Sequence, residues 1–435
     1  MKDKLMNALL AFAGKISSQR HMIAIKNAFT ANLPIIITGS FATLILNVVL
    51  STTTTGISLA KVPGMAWLAN LAPMFNAINY ATMNFFTIGL VVLIALELGK
   101  QYGHDEFVLP VVALSSYVSL TATWTTVMAN GELITVANVL PRQFTNAQGI
   151  FLGMIVAIVS TELYVRIVDS GKLDLKMPDS VPPNIAKSFS VLFPSVLTIM
   201  IIAGFGMGFE MLTGMTLFDA IATWIQAPLK GILTGLPGYL FLIWMTTLLW
   251  SVGIHGTQVL KPVYEATMLE ALAENMDAVL NGLPAPNILN NSFLAVFSTG
   301  TGAGITGGLI AAILIFSTRK DFKAIAKLSI PVGLFNINEP MTFGLPIVLN
   351  PLLVIPFMIA PAASATFGYF MTKIGVAIPM AYTVPWTTPP LLKSFLSTGG
   401  HMGTVFVELG AIIIAFLVYL PFVMIANKQE MVVEE

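Results

Sequence analysis

Apolar residues run through this chain in blocks of about 20, long enough to cross a bilayer at a rise of about 1.5 Å per helical residue. The blocks occupy 23–50, 83–99, 107–123, 150–168 and 189–212, then 236–254, 299–317, 343–371 and 402–425. Inside a bilayer each backbone polar group needs a partner from its own segment, so every block predicts a helix. The block at 343–371 is too long for one straight span, and Pro346, Pro351, Pro356 and Pro361 punctuate it. Between 255 and 299 the hydrophobicity is irregular. There 264–279 predicts a helix with Glu270, Glu274 and Asp277 on one face, ended by Gly282-Leu-Pro284-Ala-Pro286. The following 287–296 predicts a segment that dips into the membrane and returns. Broken and re-entrant helices occur at membrane depth where they line a cavity, so a site is expected in the second half. The predicted fold is an all-α polytopic membrane protein of about ten transmembrane helices, with re-entrant hairpins and interfacial amphipathic helices.

The polar positions supply boundaries and orientation. Leu5, Leu9, Phe12 and Ile16 recur at helical spacing opposite Lys4, Lys15 and Arg20, which predicts an interfacial helix over 1–21 rather than a cleaved signal. Lys2, Lys4, Lys15, Arg20 and Lys26 place the N-terminus in the cytoplasm by the positive-inside rule. A first membrane half is expected over 22–170. The polar stretch 171–188, with Lys172, Lys176, Lys187 and the Pro182-Pro183 pair, is the expected cytoplasmic linker. A second membrane half follows over 189–435. The basic segment Arg319, Lys320, Lys323 and Lys327 belongs on the cytoplasmic side, which requires either an extra membrane-entering segment between 255 and 299 or a re-entrant span. Both termini are expected in the cytoplasm.

Composition agrees with the pattern. The 435 residues are 56% hydrophobic and 10% charged, against about 25% charged in soluble domains. Net charge is +0 and no basic run stands out, so nucleic acid is not an expected partner. With Cys 0, disulfides, thiolate metal sites and a cysteine nucleophile on this chain are excluded. His21, His104, His255 and His401 show no metal-type spacing, and no metal or cofactor is expected.

The candidate chemistry centres on Gly333-Leu-Phe-Asn336-Ile-Asn338-Glu339-Pro340-Met341-Thr342-Phe343-Gly344, which sets two amides and a carboxylate between apolar segments. Pro340 pushes Glu339 out of the α region, onto extended backbone or a helix break. A carboxylate at such a break inside a membrane is expensive and marks a functional site; the alternative is a polar extramembrane loop. His255, beside Gly253 and Gly256, can donate a hydrogen bond or act as base, or be an ordinary interfacial histidine. Trp250 and Trp386 are either interface anchors or flat platforms for a sugar face. The hydroxyl-rich, proline-broken stretch 382–390 favours the platform for Trp386. Gln258 and Asn290-Asn291-Ser292 add further polar groups. Amides, hydroxyls, an acid, a histidine and tryptophans together suit a neutral polyol. Gly302-Ala-Gly304-Ile-Thr-Gly307 lacks the strand and acid of a dinucleotide fingerprint, and Gly300, Gly304 and Gly308 predict close helix packing instead. Glu97, Glu162, Glu210 and Glu408 rank below Glu339, as acids that pair within the fold.

With these residues in place, the chain resembles enzyme IIC of the phosphoenolpyruvate-dependent sugar phosphotransferase system, within the lactose/cellobiose/N,N′-diacetylchitobiose family. The resemblance rests on Gly333-Leu-Phe-Asn336-Ile-Asn338-Glu339-Pro340, on Phe343-Gly-Leu-Pro346-Ile-Val-Leu-Asn350-Pro351, on Trp250 with Gly253-Ile-His255-Gly256, and on the basic segment at 319–327. It covers essentially the whole chain. It implies a homodimer formed mainly by the first five helices, with the sugar site in the second half. It also implies phosphorylation of the sugar 6-hydroxyl by a phosphocysteine on a IIB partner, itself loaded by a IIA protein. Because this chain has no cysteine, the IIB partner is expected on another polypeptide, and with no phosphohistidine carrier domain appended the IIA partner is expected to be separate too. Glu339 and His255 would meet the 6-hydroxyl, Asn338, Gln258, Asn290 and Asn291 would contact the sugar, and Trp250 and Trp386 would stack on it. The expected substrate is a β-linked disaccharide such as diacetylchitobiose or cellobiose. A proton- or sodium-coupled sugar transporter is the alternative, and a non-transporting receptor or scaffold a third.

Overall fold

The computed structural model describes residues 11, 14–15, 18–54, 58–129, 132–173, 178, 182, 189–345, 347–348 and 350–433, without the side chains of Pro351 and 429–433. The interfacial helix expected over 1–21 and the linker over 171–188 lie mostly outside these residues. The chain forms two compact units. One comprises Ser17–Ile36 and Tyr80–Leu229, the other Met1–Ile16, Ile37–Asn79 and Lys230–Glu435. The helix Arg20–Ile45 (α1) runs from the first into the second. The division differs from the expected halves, since 37–79 joins the C-terminal part and 189–229 the N-terminal part.

In the first unit, Phe86–Gln101 (α2), Val108–Val118 (α3), Ile150–Asp169 (α4) and Leu192–Thr213 (α5) pack together. Leu90, Val91, Ile94, Ala95 and Leu98 repeat at helical spacing and bury one face of α2. Gly153 of α4 meets that face, where a Cβ would stand 2.9 Å from the Thr87 methyl. Two of the lone acids here are paired, as expected of structural residues: Glu97 with Lys100 at 2.8 Å, and Glu162 with His21 at 2.8 Å and Arg166 at 3.0 Å; Glu210 of α5 is exposed. The sequence pattern missed the exposed hairpin Trp124–Ala129 (β1) and Glu132–Ala137 (β2). Its β-branched Thr125, Thr126, Val127, Ile134, Thr135 and Val136 were the available signal.

The second unit is built on Leu236–Ser251 (α6), Gly256–Leu280 (α7), Thr306–Phe316 (α8), Lys320–Gly333 (α9), Glu339–Gly344 (α10), Pro351–Lys373 (α11), Leu392–Ser397 (α12) and Met402–Val433 (α13). Its core joins Leu309 and Ile313 of α8, Leu353 and Phe357 of α11, and Ala415, Tyr419 and Val423 of α13. Gly308 lets α8 touch α13, since a Cβ there would stand 2.6 Å from the Phe416 nitrogen.

Apart from the hairpin and an isolated bridge between Gly300 and Gly302, the regular structure of the described residues is helical. Among the described residues seven helices are long and apolar enough to cross a membrane, or eight if Leu217–Leu233 and Leu236–Ser251 form one broken span. The larger expected number counted 107–123, whose helix α3 has 11 residues and spans only about 16 Å. Two expected spans are corrected. The block 299–317 is α-helical only from Thr306, after a short 3-10 turn at Ala303–Ile305, because Gly302 (φ 90) and Gly304 (φ 75) turn the chain left-handed before it, and the candidate span that contains this helix begins earlier, at Asn291. Gly304 is therefore a turn residue, not part of a helix seam. The block 343–371 splits between α10 and α11, and α11 begins at Pro351 with Asn350 Oδ1 accepting from the Leu352 nitrogen at 3.1 Å.

Candidate functional site

The site grows from the corner between α6 and α7. After Ser251 the chain turns through Gly253 at φ 84, and His255 caps α7. Gly256 opens that helix because the Thr246 carbonyl oxygen would lie 1.9 Å from a Cβ there. His255 Nδ1 accepts from the Gln258 backbone nitrogen at 3.4 Å and lies 3.0 Å from Thr257 Oγ1. A backbone N–H can only donate, so Nδ1 is the acceptor and the neutral ring carries its proton on Nε2. The Trp250 ring packs against the imidazole, with centroids 4.3 Å apart.

Trp250 is 3% exposed, inside a cluster with Met341, Leu345 and Ile347. That cluster ties the α6–α7 corner to α10. Glu339 is the first residue of α10 and Pro340 the second, a place where a missing N–H costs no helical hydrogen bond. Of the two expected conformations for Glu339, the helix break is the one adopted. Its carboxylate is exposed, and its charge reaches His255. Partial burial holds the His255 pKa below the ordinary imidazole range, with the Glu339 charge opposing that shift.

The amides before Glu339 build its loop. Asn338 is buried, and its Nδ2 donates to the Ala303 carbonyl at 3.0 Å and to Thr342 Oγ1 at 3.0 Å. Asn336, left-handed at φ 66, donates through Nδ2 to the carbonyls of Trp386 at 2.5 Å and Thr388 at 3.0 Å. This brings Trp386, 56% exposed, to the Glu339 loop.

His255, Gln258, Glu339 and Trp386 thus present exposed groups around one corner. Trp250 and Asn338 support them from beneath. Trp250 is corrected as a stacking platform, because its buried ring is already covered by His255 and apolar neighbours. Asn290 is completely buried: Oδ1 caps the turn at Ser292 and Phe293, at 3.0 Å each, and Nδ2 donates to the Met380 carbonyl at 2.9 Å. Its contacts, with the adjacent half-buried Asn291, belong to a separate arm joined to 380–382. Sequence reasoning missed Lys393, whose Nζ donates to the Trp386 carbonyl at 3.2 Å. A lone lysine in an apolar stretch was the available signal. No group of three or more His, Asp or Glu side chains suited to a metal occurs among the described residues. A carboxylate acceptor, an imidazole N–H donor, an amide and an open indole face can grip a polyhydroxylated ring.

The sequence profile described as "Phosphotransferase system, EIIC" matches residues 26–361. The chain is 31% identical over 437 residues to the PTS system oligo-beta-mannoside-specific EIIC component of Bacillus subtilis (strain 168), covering 100% of this chain and 96% of that one. It is 30% identical over 443 residues to the PTS system cellobiose-specific EIIC component of Geobacillus stearothermophilus, covering 99% and 95%. Its fold matches the crystal structure of the transporter ChbC, the IIC component from the N,N′-diacetylchitobiose-specific phosphotransferase system. That match has TM-score 0.89 at 31% identity and covers 98% of each chain. This chain is a member of the phosphotransferase system EIIC family, a multi-pass membrane protein.

Proposed function

We propose that the protein carries a β-linked disaccharide, cellobiose or diacetylchitobiose, across the cell membrane and presents its 6-hydroxyl for phosphorylation. The observation that carries this reading is that exposed Glu339 and a neutral His255 lie at one open corner, near enough for the carboxylate charge to be felt by the imidazole. The names of the relatives support the substrate class. Glu339 accepts the 6-hydroxyl hydrogen, while His255 Nε2–H donates to a sugar oxygen and orients it. The 6-oxygen then attacks the phosphorus of a phosphocysteine on a separate IIB protein. The O–P bond forms, the S–P bond breaks, the thiolate leaves, and the hydroxyl proton passes to Glu339. The phosphate ester is repelled by a site built around a carboxylate, which disfavours return. In this reading the protein is a homodimer with cytoplasmic termini, and a IIA protein reloads IIB.

Titration calorimetry with cellobiose, diacetylchitobiose and lactose tests the substrate class. One of the first two is expected to bind. In vesicles, sugar phosphate is expected to accumulate only with phosphorylated IIB present. Accumulation of unmodified sugar, driven by a proton or sodium gradient without IIB, would instead establish the secondary transporter.

The pH profile tests the role of His255. Protonation would put a hydrogen on Nδ1, where the Gln258 N–H now donates. Because the pKa is depressed, the neutral ring persists as pH falls through the ordinary value of about 6.5. Sugar affinity is therefore expected to stay constant from neutral pH down to about 6.5 and to weaken only below it. A fall in affinity already above that value would contradict the donor role.

A further inference from the structure

A buried charge lies behind the site where the fold alone has little use for it. Lys393 is 2% exposed and Glu408 1%, and the two charges act on each other. Lys393 Nζ donates to the carbonyls of Trp386 at 3.2 Å and Ala295 at 3.4 Å. Glu408 Oε2 accepts from the Leu391 nitrogen at 2.8 Å, holding Leu391 at φ 69 one residue before α12. Burying two such ions costs several kcal/mol each, and apolar residues of similar size often hold a fold as well or better. Packing therefore does not account for them. The distinctive contact of Lys393 is the Trp386 carbonyl, which accepts Lys393 on one side and Asn336 on the other. A carbonyl has two lone pairs, and both are engaged. The exposed indole and the loop that carries Glu339 are thereby fixed to one oxygen.

We propose that Lys393 is a positioning residue for sugar recognition: it sets the Trp386 backbone and, through the carbonyl shared with Asn336, the Glu339 loop, while Glu408 holds the Leu391 turn that leads into α12. This rests on the sugar site proposed above. It adds a rigid support that touches no sugar atom.

The experiment compares wild type with Lys393→Met, the neutral pair Lys393→Met/Glu408→Gln, and Asn336→Gly, which keeps the left-handed backbone and removes the amide. Each is measured for disaccharide Kd, thermal midpoint, and acrylamide quenching of Trp386, with Trp386→Phe as the background. The neutral pair is expected to keep its thermal midpoint and to raise Kd about tenfold, with Trp386 more readily quenched. Asn336→Gly is expected to do the same. Because both act through one oxygen, combining it with the neutral pair should give less than the product of the separate effects. An unchanged Kd and quenching in the folded neutral pair would overturn the proposal. So would failure of the neutral pair to fold while Asn336→Gly folds and binds normally, since Lys393 would then be structural. If wild type binds none of the sugars, the proposed function fails; if wild type binds and the variants match it, this inference alone fails.

Discussion

Glu339→Gln is expected to remove sugar binding at ordinary substrate concentrations while leaving the protein folded. The amide keeps the shape of the side chain but loses the charge and half of its acceptor capacity. A hydrogen bond to a charged group contributes roughly 1.5–3 kcal/mol, so Kd should rise about 10- to 100-fold. Phosphorylation-coupled uptake should fall further, because the amide cannot take the hydroxyl proton at pH 7. Stability should change by less than about 0.5 kcal/mol, the usual range for exposed positions away from special features. Glu339 is such a position: it is exposed and starts a six-residue helix. Calorimetry, a phosphorylation assay and a thermal melt on one preparation make the comparison. Unchanged affinity with a normal melt would place the sugar elsewhere. His255→Ala should cost less, since it removes a donor to a neutral hydroxyl, worth about 0.5–1.5 kcal/mol.

The helices were legible because bilayer thickness writes their length into the sequence as apolar blocks. Glu339 stood out as a candidate for a related reason. A carboxylate before proline, in an otherwise apolar stretch, has few structural explanations. Trp250 was harder, since an indole has the same composition whether it stacks on a ligand or fills a core. What buries it is Met341, Leu345 and Ile347, about ninety residues further along the chain. Asn290 and Asn338 looked like ligand amides for the same reason, and their hydrogen bonds go to the carbonyls of Met380 and Ala303. Those partners are distant main-chain atoms that leave no residue-type signature. The break at 299–305 was hidden by its own composition, because glycines at a spacing of four suit a helix seam and a left-handed turn equally.

That turn carries the largest expected loss of stability. Gly304 has φ 75, and a Cβ there would lie 2.3 Å from two ring carbons of Phe357, which is 0% exposed and has no room to withdraw. The left-handed backbone costs an alanine about 1–2 kcal/mol. Overpacking a filled core adds about 1–3 kcal/mol. Gly304→Ala is thus expected to lose roughly 2–5 kcal/mol, enough to cost most of the folded membrane protein on expression. The damage should reach the site, because the adjacent Ala303 carbonyl receives the Asn338 amide at 3.0 Å and the Gly304 carbonyl receives the Tyr419 hydroxyl at 2.7 Å. Adding Phe357→Leu separates the two causes. It trims the ring that the new methyl strikes but leaves the backbone strain, so the double variant should be more stable than the sum of the single effects predicts, by about 0.5–3 kcal/mol. Thermal melts of wild type, both single variants and the double variant complete the cycle. A Gly304→Ala protein with wild-type stability would mean that the turn before α8 is not held left-handed against Phe357, and the support beneath Asn338 would have to be sought in another segment.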